Sequence, residues 1–184
     1  MVVSFLGHLL DEERDDEERG DERAGTGIMI IGIDPDTKAS GVAILQAPYR
    51  LATVVLDCLG LVDLFALLKA HPGALVALEA GWLNAKGLAF VPGHRRAINV
   101  GMNHAIGRQI AQVCGDTGRT TILWRPTGKK WDHKRFIQLT GRAWGPRTNQ
   151  EERDAVRVIV MSSIRRLGIA MDKKQVKEMG TEIP

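Results

Sequence analysis

Four carboxylates spread over the chain have the types and settings that chemistry on phosphates demands. Asp34 ends the apolar run Ile28-Met29-Ile30-Ile31-Gly32-Ile33, and Glu79 ends a second, Ala74-Leu75-Val76-Ala77-Leu78. Glu151 and Asp154 stand three residues apart near the start of a late helical segment. A carboxylate at the end of a buried strand is costly to desolvate unless a cation or donor meets it. The three-residue spacing puts Glu151 and Asp154 on one helix face, one turn apart, with Arg153 pointing elsewhere. In-line cleavage of a phosphodiester calls for two divalent ions about 4 Å apart, one activating water and one stabilising the leaving oxygen. Hard cations take carboxylate oxygens rather than His or Cys. Asp34, Glu79, Glu151 and Asp154 are therefore the candidate catalytic set and the candidate ligands of two Mg²⁺ or Mn²⁺ ions. The pattern points to a metal-dependent enzyme acting on phosphates, a nuclease first among them. Each acid also has a plainer role available. Asp34 can cap the turn Asp-Pro-Asp-Thr, Glu79 can face solvent, and Glu151 can be an ordinary first-turn acid favoured by the helix dipole. Asp36 is an auxiliary ligand candidate.

Around these acids lie groups suited to a polyanion. Lys129, Lys130, Lys134, Arg135, Arg142 and Arg147 form a dense basic stretch just ahead of the acidic helix, and Arg95 and Arg96, in the loop after Glu79, extend it. Singly each reads as solvated surface; together they suggest a phosphate-binding track. Trp82, three residues after Glu79 in a polar loop, reads by itself as a tryptophan folded onto the core. His94, His104 and His133 lack a second ligand at metal spacing and read as surface or core residues, with His133 a candidate proton shuttle.

Composition narrows the class. The chain has 184 residues, 44% apolar and 26% charged, which fits one globular domain with a sizeable core. No apolar stretch approaches the roughly 20 residues of a membrane span, and the short apolar piece at Met1–Leu10 has no preceding basic residue, so it is a poor signal peptide. Cys58 and Cys114 read as reduced thiols, and a cytoplasmic protein follows. Residues 1–26 hold nine acids and three arginines, a net of −6, so the remainder carries +9 of the overall +3. A body this basic suits nucleic acid. The acidic stretch reads as a disordered tail (1–26), ahead of a catalytic domain (27–170) and a C-terminal tail (171–184); Met29 is an alternative start.

The elements that must position the acids are legible in order. Ile28–Ile33, Gly41–Gln46 and Leu51–Leu56 read as hairpin-linked strands, Leu61–Ala70 as a helix and Ala74–Glu79 as a strand. Asn99–Cys114 reads as a helix, Thr120–Trp124 as a strand, and Trp131–Leu139 and Gln150–Leu167 as helices. This predicts an α/β fold, a ribonuclease H-like mixed five-stranded sheet (β-β-β-α-β-α-β-α, with an extra helix before the last) and helices on both faces. In that fold the first and fourth strands lie side by side, which would make Asp34 and Glu79 neighbours.

The stretch Ile31-Gly32-Ile33-Asp34-Pro35-Asp36-Thr37-Lys38-Ala39-Ser40-Gly41-Val42-Ala43 resembles the first-strand motif of RuvC-type Holliday junction resolvases. Leu78-Glu79-Ala80-Gly81-Trp82 resembles that family's second motif, and Glu151-Glu152-Arg153-Asp154-Ala155 its final D-x-x-D-A. Ala105-Ile106-Gly107 and Pro126 with Lys129 and Lys130 echo two further segments, so the likeness runs from about Ile28 to Leu167. Asp36 stands where the family has Gly, and Glu151 where it has Asp, which fits a divergent, phage-like member. The resemblance implies a structure-selective endonuclease that cuts four-way or other branched DNA and leaves 5′-phosphate and 3′-hydroxyl ends. It also implies a Trp82 wedge at the branch point and a homodimer joined through the Asn99–Cys114 helix. Two alternatives use the same residues: a nucleic-acid-binding module of this fold without cleavage, and an actin-like or sugar-kinase-type phosphate-binding domain, whose Gly-Ile-Asp start is similar.

Overall fold

The computed structural model describes residues 28–47, 49–84, 93–126, 130–141 and 149–167, with side chains to 162 in the last of these. The expected acidic tail (1–26), the C-terminal tail (171–184), Lys129, Arg142 and Arg147 lie outside the described residues. Five strands form one sheet: β1 (Ile30–Asp34), β2 (Ser40–Leu45), β3 (Val55–Leu59), β4 (Leu75–Glu79) and β5 (Thr121–Trp124). The helices are α1 (Leu61–Ala70), α2 (His94–Asp116), α3 (His133–Thr140) and α4 (Gln150–Leu167).

The strand order is β3-β2-β1-β4-β5. The β1–β2 and β2–β3 pairs are antiparallel neighbours in sequence, whereas β1–β4 and β4–β5 are parallel; α1 leads from β3 into β4 and α2 lies between β4 and β5. The first and fourth strands are neighbours, as the sequence predicts. Two elements depart from the sequence reading by more than two residues. The third strand begins at Val55, because Leu51–Thr53 forms a 3₁₀ turn that drops Leu51 into the core before pairing with β2 begins. Helix α2 begins at His94 rather than Asn99, after Gly93 at φ 89°, so Arg95 and Arg96 lie on its first turn and not in a loop.

Both sheet faces are covered, which is why the strands read as continuous apolar runs rather than alternating ones. The period-2 alternation still sorts the side chains. Ile30, Ala43, Leu45, Leu75, Ala77 and Ile122 pack with Phe136 and Leu139 of α3 and Val156 and Ile159 of α4. Ile31, Ile33, Val42, Ile44, Val76 and Leu78 pack on the opposite face with Leu64, Leu67 and Leu68 of α1 and Ile110 of α2. Asp34 and Glu79 therefore share the α4 face with Ile30, Gly32 and Leu75, Ala77.

Two glycines on that face set how close α4 comes. A Cβ on Gly32 would overlap the Ala155 carbonyl and the Ile159 side chain, and a Cβ on Gly41 would overlap the Glu151 backbone. Glu151, Ala155 and Ile159 recur every four residues, so one stripe of α4 lies on a bare strip of sheet backbone. Gly41 is also the cross-strand partner of Asp34, which brings the start of α4 directly over the first acid.

Candidate metal centre

The sheet and α4 together bring all four acids to one place. The parallel register pairs Ile33 with Leu78, so the next residues along, Asp34 and Glu79, end adjacent strands side by side. Glu151 and Asp154 come down on them from the first turns of α4. Asp34 interacts electrostatically with Glu79, Asp154 and Glu151, and Glu79 with Asp154. Asp34, Glu79 and Glu151 line a cleft of about 190 Å³, together with Pro35, Asp36, Trp82, His104 and Lys130.

Burial and mutual repulsion shape their ionisation. Asp34 is 9% exposed. Desolvation, with Glu79, Asp154 and Glu151 beside it, holds its carboxyl well above the ordinary carboxylate range, against the pull of Lys130. Burial and Asp154 raise Glu79 as well, while Lys130 and Arg157 oppose the shift. For Lys130, partial desolvation lowers the ammonium pKa, but the bond to Asp154 and the charges of Asp34 and Glu79 outweigh it and the net shift is upward.

Asp154 differs from the other three. It is fully buried. Its Oδ2 accepts from Lys130 Nζ at 2.5 Å, and its Oδ1 accepts from Gln150 Nε2 at 3.0 Å. Gln150 Nε2 also reaches the Trp131 carbonyl at 3.3 Å. Asp154 thus lies beneath the cleft and grips Lys130, whose ammonium sits among the acids.

The donor set suits a hard divalent cation: carboxylates drawn from three elements, held ionised only at a cost that added positive charge would relieve. Asp34, Glu79 and Glu151 are the ones open to the cleft and would hold it. Among the described residues, no three His, Cys, Asp or Glu side chains already surround one point. Lys130 supplies the positive charge there instead.

The expected DNA-contact residues divide. Trp82 and Lys130 line the cleft; Arg95, Arg96, Lys134 and Arg135 do not. Lys134, Arg95 and Arg96 are exposed, whereas Arg135 is half-buried on α3, where its backbone N–H donates to the Asp132 N-cap at 2.8 Å. Trp82 sits in a 3₁₀ turn, Gly81–Leu83, with its ring against Gly107 of α2 and beside Pro35. It is partly buried, so it is packed on the α1/α2 core and present at the cleft at once. Asp36 lines the cleft too, but its oxygens accept from the Lys38 N–H at 2.9 Å and Asn103 Nδ2 at 3.2 Å.

Two site residues escape the sequence reading. His104, expected in a surface or core role, lines the cleft, its ring filling the space that Gly81 leaves. Desolvation and Arg108 lower its pKa. The signal was the helical spacing of Val100, Asn103, His104 and Gly107 on one face. Arg157 is 4% exposed and lies over the Trp124 ring, 4.9 Å from its centroid. Trp124 is the cross-strand partner of Glu79, which places the guanidinium beside that carboxylate. A lone charge inside Ala155-Val156-Arg157-Val158-Ile159-Val160 was the clue.

No protein-family model matches the chain, and no curated protein matches it. The fold is that of the ribonuclease H-like α/β class. Among solved structures it is similar to T. thermophilus RuvC in complex with Holliday junction substrate, with a TM-score of 0.51 and 15% sequence identity. The likeness covers 78% of this chain and 98% of that one.

Proposed function

We propose that this protein is a Mg²⁺- or Mn²⁺-dependent endonuclease that cleaves four-way or related branched DNA, a distant counterpart of RuvC. The observation that carries the reading is the convergence of Asp34, Glu79 and Glu151, from both halves of the chain, onto one cleft with Asp154 buried beneath it. A pure DNA binder gains nothing from gathering carboxylates where phosphates must approach. The likeness in fold to a protein solved with a Holliday junction supports the substrate class.

The chemistry a divalent ion supplies when bound is acidification of the attacking water and neutralisation of charge on the phosphate. Asp34, Glu79 and Glu151 would hold that ion in the cleft. Lys130 offers positive charge to the scissile phosphate from the same cleft. Trp82, which lines the cleft, is the ring available to stack on an unpaired base. The exposed Lys134, Arg95 and Arg96 serve phosphates outside the cleft, and Lys129, Arg142 and Arg147 keep a phosphate-binding role on the sequence alone. Cutting both strands of a symmetric junction needs two such clefts, which a homodimer provides; α2 carries exposed Ile98 and Met102 that suit a subunit contact.

Incubating the full chain with labelled four-way, three-way and linear DNA tests the reading, with Mn²⁺ or with chelator. Cutting of the branched substrates with metal alone is the expected result. A variant with Asp34 and Glu79 both changed to Asn should bind junctions without cutting them. If it cuts as well as the parent, the site is misassigned; if the parent never cuts with either ion, a binding module of this fold is the better description.

A further inference from the structure

We propose that Lys130 takes the place of a second divalent ion, so that each chain binds one Mg²⁺ or Mn²⁺ and completes the charge of its cleft with an ammonium. This rests on the metal-site reading above and replaces the two-ion stoichiometry that the acidic pattern alone suggests.

The four carboxylates have divided their work. Asp34, Glu79 and Glu151 open onto the cleft, and Asp154 does not. Both Asp154 oxygens are taken, one by Lys130 Nζ and one by Gln150, which is itself tied to the Trp131 carbonyl. A carboxylate so engaged has no free oxygen facing the cleft for a metal ion. Its charge is spent on fixing the lysine head. Lys130 arrives from the segment before α3 with 62% of its side chain exposed, yet its head reaches a partner that is 0% exposed. The stem therefore runs along the open side of the cleft and the ammonium lies inside it. From there it interacts with Asp34 and Glu79 as well as Asp154.

Open oxygens decide how many further cations fit. Asp36 keeps its charge, but its oxygens accept from the Lys38 N–H and Asn103. With Asp154 engaged by Lys130 and Gln150, Asp34, Glu79 and Glu151 are the carboxylates left to hold a metal ion. A second divalent ion would have to share those ligands and sit against both the first ion and the Lys130 ammonium. An ammonium also differs from a metal ion in its demands: three donors, no coordination sphere and no dehydration of a divalent ion.

Titration of Mn²⁺ into the chelator-treated full chain, without DNA and at neutral pH, reads the stoichiometry directly by calorimetry. One ion per chain is expected for the wild type and for Lys130→Arg. Lys130→Met should take up two. Should Lys130→Met fail to fold by circular dichroism, Lys130→Gln replaces it in the comparison. Two ions in the wild type, or one ion in both the wild type and the neutral variant, overturns the proposal and leaves the metal site standing. A flat titration of the folded wild type withdraws the metal site itself.

Discussion

Gly41 of β2 lies directly beneath the backbone of Glu151, so close that any side chain there would occupy the space of the Glu151 carbonyl. Together with Gly32 under Ala155, it allows a helix to rest on sheet backbone, and that seating is what delivers the α4 acids to the strand-end acids. Gly41→Ala should therefore destabilise the fold by about 1–3 kcal/mol, the usual cost of overpacking, and weaken Mn²⁺ binding. Gly115→Ala is the control, because a Cβ there meets nothing within 4 Å. On an open position of α2 it should stabilise by about 0.5–1 kcal/mol. Urea melts and Mn²⁺ titrations of both variants check the pair.

Metal-free stability should carry the signature of Asp34. Its carboxyl is held above the ordinary range in the folded state, so the folded chain keeps a proton that the unfolded chain has lost. Stability then falls as pH rises from about 4, the ordinary carboxylate value, to the raised one, and the cost persists above that window. Asp34→Asn removes the charge. In chelator at neutral pH it should raise Tm by about 3–6 °C. Near pH 3 both states of the parent are protonated and the gain should vanish. A neutral-pH Tm no higher than the parent's would contradict the crowding of charge described here.

Mn²⁺ affinity should move with pH in the opposite sense. Protonated Asp34 and Glu79 cannot serve a cation, so affinity should rise as pH climbs through their elevated values and level off above them. Arg157→Met should push this rise to higher pH, because Arg157 opposes the upward shift of Glu79. The same variant should lose about 1–3 kcal/mol of stability with the Trp124 stack, whereas Arg157→Lys should keep more of the pH profile than of the stability. Mn²⁺ titrations at several pH values separate the two effects.

Trp82 has a core-facing side and a cleft-facing one. Trp82→Ala should reduce cleavage of four-way junctions far more than binding of linear duplex, with Trp82→Phe in between. Packing against Gly107 means the Ala variant also loses stability, so cleavage is compared below its own melting range. Equal losses on both substrates would leave Trp82 as a packing residue only.

Much of the frame was legible from residue order. Apolar runs closed by Asp34 and Glu79 marked β1 and β4, and periodicity placed α1 and α4 at Leu61–Ala70 and Gln150–Leu167, as found. These features are local: a period of two or 3.6 and a breaker at each end are written in neighbouring residues. The third strand was misplaced because Leu51 and Val54 are buried by the irregular turn that carries them, so apolarity there signals the core without signalling a strand.

The division of labour among the acids was not legible. Asp154 and Glu151 look equivalent along the chain, yet one is sealed against Lys130 and Gln150 and the other opens onto the cleft. That difference depends on where a loop before α3 sets down an ammonium, and on two glycines that fix the height of α4 above the sheet. His104 and Arg157 likewise acquire their surroundings only when α2 closes on the 3₁₀ turn and α4 on β5. Sequence alone determined which side chains carry charge and which segments become strands and helices, because those follow from covalent identity and short-range periodicity. Tertiary packing decided which charges meet, which are desolvated and which stay open, because electrostatic energy depends on distance through folded space and not along the chain.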